Sequence, residues 1–182
     1  MAFGVVVALF VALLVWAALV YNSLVRDRNR VAQAWSDVDV QLTRRHELVP
    51  RLVEIVKGYA SYERALLTSL AGLRSVSQGT PASRSETERA VSAGVQKLIA
   101  LVEAYPNLKA SEGFADLHRK LVDTENQIQY SRRYYNGAVN LFNNRLQRFP
   151  DLLIARAFAF RPAEFFELDE PDAAAAPKVA LP

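Results

Sequence analysis

The feature that most constrains this chain is an uncharged run at residues 2–21, AFGVVVALFVALLVWAALVY. At helical rise such a run covers about 30 Å, the thickness of a bilayer's hydrocarbon core. Trp16 and Tyr21 lie towards its C-terminal end, where interfacial aromatics are favoured. A cleaved signal peptide is the competing reading. Signals carry a charged n-region, a shorter apolar stretch and a small-residue cleavage site. Nothing basic precedes this run and it is too long, so an uncleaved transmembrane anchor over residues 1–21 is expected. The chain has no cysteine, which excludes a lipoprotein signal, disulfides and thiolate metal sites.

Arg26, Arg28 and Arg30 follow the run directly, and Asp27 scarcely offsets them. The positive-inside rule then keeps the C-terminal side in the cytoplasm, with a periplasmic domain as the alternative. Basic residues at an anionic leaflet are each worth about 1 kcal/mol. Arg26, Arg28 and Arg30 are therefore expected to contact lipid headgroups. Arg44 and Arg45 lie about 30 Å further along a straight helix and are expected on a solvated face.

Beyond the anchor the pattern is helical, with no period-two alternation and no hairpin dipeptide. Val31, Trp35, Val38, Leu42 and Val49 form one seam, interrupted by Arg45. Between Tyr21 and Val49 there is neither proline nor glycine, so one helix is expected from the membrane to Pro50, which should end or kink it. Leu52, Val56, Tyr59, Leu66, Leu70 and Leu73 form a second seam, ending in the loop Ser77-Gln78-Gly79-Thr80-Pro81. Ser85 and Glu88 have capping-box spacing and predict the start of a third helix, with seam residues Val91, Val95, Leu98, Val102 and Tyr105. Ser111 predicts the N-cap of a fourth, whose seam runs from Phe114 through Leu117, Leu121, Ile128, Tyr135 and Ala138 to Phe142. Thr124 and Ser131 are polar interruptions in it.

Short connections make neighbouring helices antiparallel. The expected fold is all-α: an N-terminal transmembrane helix, then an elongated antiparallel four-helix bundle over residues 22–150. An aromatic C-terminal arm at 151–168 should start as a short helix near residues 151–158 and continue as an extended piece. The composition of residues 169–182 predicts a disordered tail.

The segments Tyr21-Asn22-Ser23-Leu24-Val25, Arg28-Asn29-Arg30-Val31 and Ala34-Trp35-Ser36 resemble the start of the LemA family. Leu48-Val49-Pro50-Arg51-Leu52-Val53, Ala104-Tyr105-Pro106-Asn107-Leu108-Lys109, Glu125-Asn126-Gln127-Ile128 and Arg132-Arg133-Tyr134-Tyr135-Asn136 continue it, and a Phe-rich segment from Phe158 to Glu167 completes it. The resemblance runs in family order over most of the chain. It implies a bacterial inner-membrane protein with a helical-bundle domain and says little about activity. Arg51 and Tyr62 depart from the Asn and His expected in many relatives, which removes a histidine-based metal or acid–base role there.

No catalytic apparatus is legible. His46-Glu47 lacks the second histidine of a zincin, because Pro50 stands at that position. His46 and the isolated His118 read as solvated helix residues. Asp37 and Asp39 face different sides of a helix, and scattered single glycines assemble no phosphate loop. No enzyme activity, cofactor or metal is expected. A formal net charge of +3 is too small to argue for a nucleic-acid partner.

Two further groups are candidates. Asn136, Asn140 and Asn143 repeat at four and three and form a stripe bordering the fourth seam. It is read as a register-setting polar layer, which Gln41, Asn126 and Gln127 could meet, or alternatively as a ligand or subunit contact. Phe158, Phe160, Phe165 and Phe166 are too apolar for a free arm and are expected to pack at least partly on a second copy, giving a homo-oligomer. Docking on the chain's own bundle is the alternative. Two function classes fit these features. One is a membrane-anchored scaffold that self-associates and organises the membrane or envelope. The other is an accessory or sensor subunit that presents its bundle to another membrane protein.

Overall fold

The computed structural model describes residues 1–59 and 80–167. The fold is all-α, with no strand among the described residues. Five helices are described: α1 (Ala2–Tyr59), α2 (Pro81–Val102), the single turn α3 (Pro106–Lys109), α4 (Glu112–Gln147) and α5 (Asp151–Ala157). Leu66, Leu70, Leu73, the loop at 77–79 and the tail at 169–182 lie outside the described residues, as does the side chain of Tyr59.

The residues group into two compact units. One combines Met1–Arg45 with Lys120–Phe165, and the other combines the described residues of His46–Arg119 with Phe166 and Glu167. In the first unit, α1 and α4 run antiparallel. Arg45 meets Glu125, Trp35 meets Tyr135 with ring centroids 5.2 Å apart, and Asp27 meets Arg145. The predicted seams supply its core: Val31, Val38 and Leu42 from α1, and Leu121, Ile128, Tyr135, Ala138 and Phe142 from α4, are buried. Trp35 is only half-buried, while Ala34 beside it is fully buried. Thr124 and Ser131 stay inside because each hydroxyl donates within α4, to Lys120 O at 2.8 Å and to Gln127 O at 2.8 Å.

α1 crosses the Asn22-Ser23 position unbroken, as the absence of proline and glycine predicts. It also passes through Pro50, so of the two outcomes expected there, an end or a kink, the helix does not end. A proline inside a helix costs about 3 kcal/mol. Leu48, Val49, Leu52, Val53 and Val56 on both sides of it are buried. Each such side chain is worth roughly 1.5–3 kcal/mol, so the packing outweighs the missing backbone bond.

α2 starts before the predicted Ser85–Glu88 box. Thr80 is its N-cap, accepting from Ser83 N at 3.4 Å, and Pro81 occupies the first turn. A proline at N1 loses no hydrogen bond and presets φ, so Thr80-Pro81 takes the start. Ser85 and Glu88 are instead buried inside the helix. Pro106 opens α3, three residues beyond the C-cap Glu103 of α2. Ser111 caps α4 as expected, accepting from Phe114 N at 3.4 Å.

Candidate functional site

One polar cluster of the first unit lies just beyond the end of the apolar run. Arg145 on α4 is its hub. Its Nη1 donates to Asp27 Oδ2 at 2.8 Å and to the Ser23 hydroxyl, and its Nε donates to Asp151 Oδ2 at 2.6 Å. One guanidinium thereby ties α1, α4 and α5 together. The bond to Asp151, followed by that to Asp27, raises the Arg145 pKa despite partial burial, so its charge is fixed. The sequence reading passed over this hub, because single Arg and Asp residues in separate segments carry no spacing signal.

Arg26, Arg28 and Arg30 are exposed on α1. Arg26 and Arg30 are four apart and share a face, with Arg28 on the opposite side. The Arg28 guanidinium lies 5.7 Å from the centre of the Phe160 ring, within cation–π range. Arg30 lines an open cleft of about 570 Å³ together with Asp27, Arg145, Arg148 and Asp151.

α5 ends in a Schellman turn. Ala159 N donates to Arg156 O and Phe160 N donates to Ala155 O, with Ala159 at φ 53°. Residues 160–167 then carry no regular secondary structure, and residues 163 and 164 are held by α4. Tyr135 Oη donates to Glu164 O at 2.7 Å. Burial, with Glu164 adding to it, pushes the Tyr135 phenol up to about 12, so it remains a donor. Asn143 donates through Nδ2 to Ala163 O and accepts at Oδ1 from Ala163 N, both at 2.9 Å. Within the polar stripe, Asn143 therefore grips the arm's backbone. Asn140 is exposed and accepts from Asn144 Nδ2 at 3.1 Å, and Asn136 is half-buried.

The four arm rings do not form one exposed patch. Phe166 is fully buried within its own chain, which corrects its expected place at a subunit contact. Phe160 packs on Tyr21 and Phe142, with centroids 5.8 and 6.5 Å away. Phe158 also touches Tyr21, at 4.7 Å, yet stays 59% exposed, and Phe165 stays 41% exposed.

Two residues expected in solvent are inside. Arg45 is 1% exposed, and its Nη1 meets both carboxylate oxygens of Glu125 at 3.0 and 3.1 Å. In the second unit, His46 Nε2 and Glu88 Oε1 form a buried contact at 3.0 Å. His118 is half-buried and stacks on Phe114. Arg44 is exposed as expected. Among the described residues no three of His, Asp and Glu converge on a point that could hold a metal ion.

The LemA family profile matches residues 34–181, more than three quarters of the chain. The chain belongs to the LemA family. It is 22% identical to magnetosome protein MamQ 2 of Paramagnetospirillum magneticum over 81% of this chain and 64% of that protein. It is 23% identical to Protein LemA of Metamycoplasma hominis over 82% of this chain and 69% of that one. Magnetosome protein MamQ of Magnetospirillum gryphiswaldense is 21% identical, over 80% and 64%. The chain thus spans less than two thirds of the MamQ relatives it matches. Family membership and the apolar N-terminal helix together describe a membrane-associated protein.

Proposed function

We propose that this LemA-family chain is a non-enzymatic, membrane-anchored scaffold that self-associates and organises the membrane or envelope around it. The observation that carries the reading is the unbroken helix α1, whose apolar part continues without a linker into the seam of the first unit. An enzyme tethered for solution chemistry needs no such coupling, whereas a scaffold uses it to hold its surface at a set height above the bilayer. In this reading residues 2–21 span the bacterial inner membrane, the helical domain lies on the cytoplasmic side, and Arg26 and Arg30 face anionic headgroups. None of the relatives' names denotes an enzyme.

Since Phe160 and Phe166 are taken up within the chain, self-association falls to the outward face of α4. Tyr130, Tyr134 and Leu141 are exposed there at helical spacing. Gly137 lies between them, with open space where a Cβ would stand. Identical anchors put this face at the same height in every copy, and confinement to the bilayer raises the copies' effective concentration.

The test is the mass of the full chain extracted in mild detergent. The scaffold reading expects a multiple of 20.3 kDa for the protein part, reduced to one chain by Tyr130→Ser, Tyr134→Ser and Leu141→Ser together. A monomeric wild type, or a triple variant of unchanged size, would refute it. A monomer that co-purifies with a different membrane protein would favour the accessory or sensor subunit. Protease added to spheroplasts tests the side: digestion of the helical domain from outside reverses the topology.

A further inference from the structure

The structure places three large apolar side chains in water at one end of the first unit. Phe149 is 74% exposed, Leu153 55% and Phe158 59%. All three belong to α5 or its flanking turns, and contacts on the page fix the height of that element. α5 opens at Asp151, which shares Arg145 with Asp27 of α1. Asp27 is six residues past Tyr21, about 9 Å at helical rise. α5 then closes in a turn whose rings, Phe158 and Phe160, pack against Tyr21 itself. The element therefore descends along α1 to the last residue of the uncharged run.

The charges around it point the same way. Arg26, Arg30, Arg148, Arg156 and Arg161 are exposed at this end. Among the described residues, the carboxylates of Asp27 and Asp151 at this end are both held by Arg145. What remains is apolar side chains interleaved with arginines beside a hydrophobic span, the composition of a segment lying in a bilayer interface. A protein partner would not need the patch to coincide with the end of the span.

We propose that α5 and its flanking turns form a second membrane contact, with Phe149, Leu153 and Phe158 inserted at the headgroup–acyl boundary beside α1 and the surrounding arginines on anionic headgroups. The proposal rests on the reading that residues 2–21 span the bilayer. With it the first unit is held to the membrane at two points, and the Arg145 hub fixes the angle between them.

The chain has no cysteine, so single-cysteine labelling is clean. Leu153→Cys and Phe158→Cys would each carry an environment-sensitive fluorophore, with Leu13→Cys inside the span and Val40→Cys on the exposed face of α1 as references. All four positions are exposed, so the labels leave the core intact. The labelled full-length proteins are reconstituted into phosphatidylethanolamine–phosphatidylglycerol vesicles doped with lipids that carry a nitroxide near the headgroup. The expected result is blue-shifted emission at positions 153 and 158, and quenching there severalfold stronger than at 40. If 13 is buried in lipid but 153 and 158 behave like 40, the second contact is refuted and the anchor stands. If 153 and 158 are blue-shifted yet unquenched, protein covers them and the proposal is equally refuted. If 13 itself is in water, the anchor reading fails and takes the proposal with it.

Discussion

Replacing Asn143 by alanine should release the C-terminal arm while leaving the helices folded. Asn143 makes two 2.9 Å hydrogen bonds to the backbone of one residue, Ala163. A net contribution of about 0.5–1.5 kcal/mol each gives roughly 1–3 kcal/mol for the pair. At about 1.4 kcal/mol per decade, local opening becomes about 5- to 150-fold more frequent. The Ala163 amide is itself one of the bonded groups, so amide hydrogen exchange at that position reads the change directly. Exchange at Ala163 should accelerate by that factor, while core amides of α4 such as Ile128 keep their protection. Asn143→Asp should behave similarly, since it keeps the acceptor but turns a carboxylate oxygen towards the Ala163 carbonyl. Unchanged exchange at Ala163 in Asn143→Ala would mean that the arm is not held by this side chain, and the clamp would have to be abandoned.

Three further outcomes follow from the same structure. Leu121 is buried in the first unit, so Leu121→Ala should cost about 2–5 kcal/mol in denaturant unfolding, and a shift near zero would contradict the seam assignment. Tyr135 has a folded pKa of about 12 against an ordinary 10, so its contribution is fully present below pH 10 and is lost as pH rises from 10 towards 12. The difference in tyrosinate absorbance between wild type and Tyr135→Phe should accordingly have its midpoint near 12, and a midpoint at 10 would show an exposed phenol. Ala159 adopts the left-handed conformation at the end of α5, so Ala159→Gly should raise stability by about 0.5–1 kcal/mol in thermal melts, whereas a loss would show that the turn is not left-handed.

The apolar skeleton was legible because burial leaves a periodic trace. The seams through Val38 and Leu42, and through Leu121, Ile128 and Phe142, are core as their spacing predicts. Ser111 was legible as a cap because its hydroxyl acts within its own turn. What escaped are features decided by partners far along the chain. Arg45 and His46 read as solvent-facing because nothing nearby in sequence announces Glu125 or Glu88. Pro50 read as a stop or a kink because its local cost is visible, whereas the packing that carries the helix through it is not. The polar stripe was found as a pattern, but only the arm's return to α4 gives Asn143 its partner. Of the arm rings, Phe160 packs on Tyr21 and Phe142 and Phe166 is buried, while Phe158 and Phe165 stay exposed. Their division between the chain's own core and its surface depends on the turn at Ala159, which composition does not reveal.

The central claim is that the first unit rides on its membrane anchor without a joint, and a distance measurement across the boundary tests it most directly. Ala18 and Val40 are exposed on α1, on either side of Tyr21. Spin labels on Ala18→Cys and Val40→Cys, in protein reconstituted into a bilayer, report their separation by pulsed electron resonance. One continuous helix predicts a backbone separation of about 33 Å with a single narrow distribution. A broad distribution, or a clearly shorter mean, would place a flexible tether near Asn22-Ser23 and contradict the account.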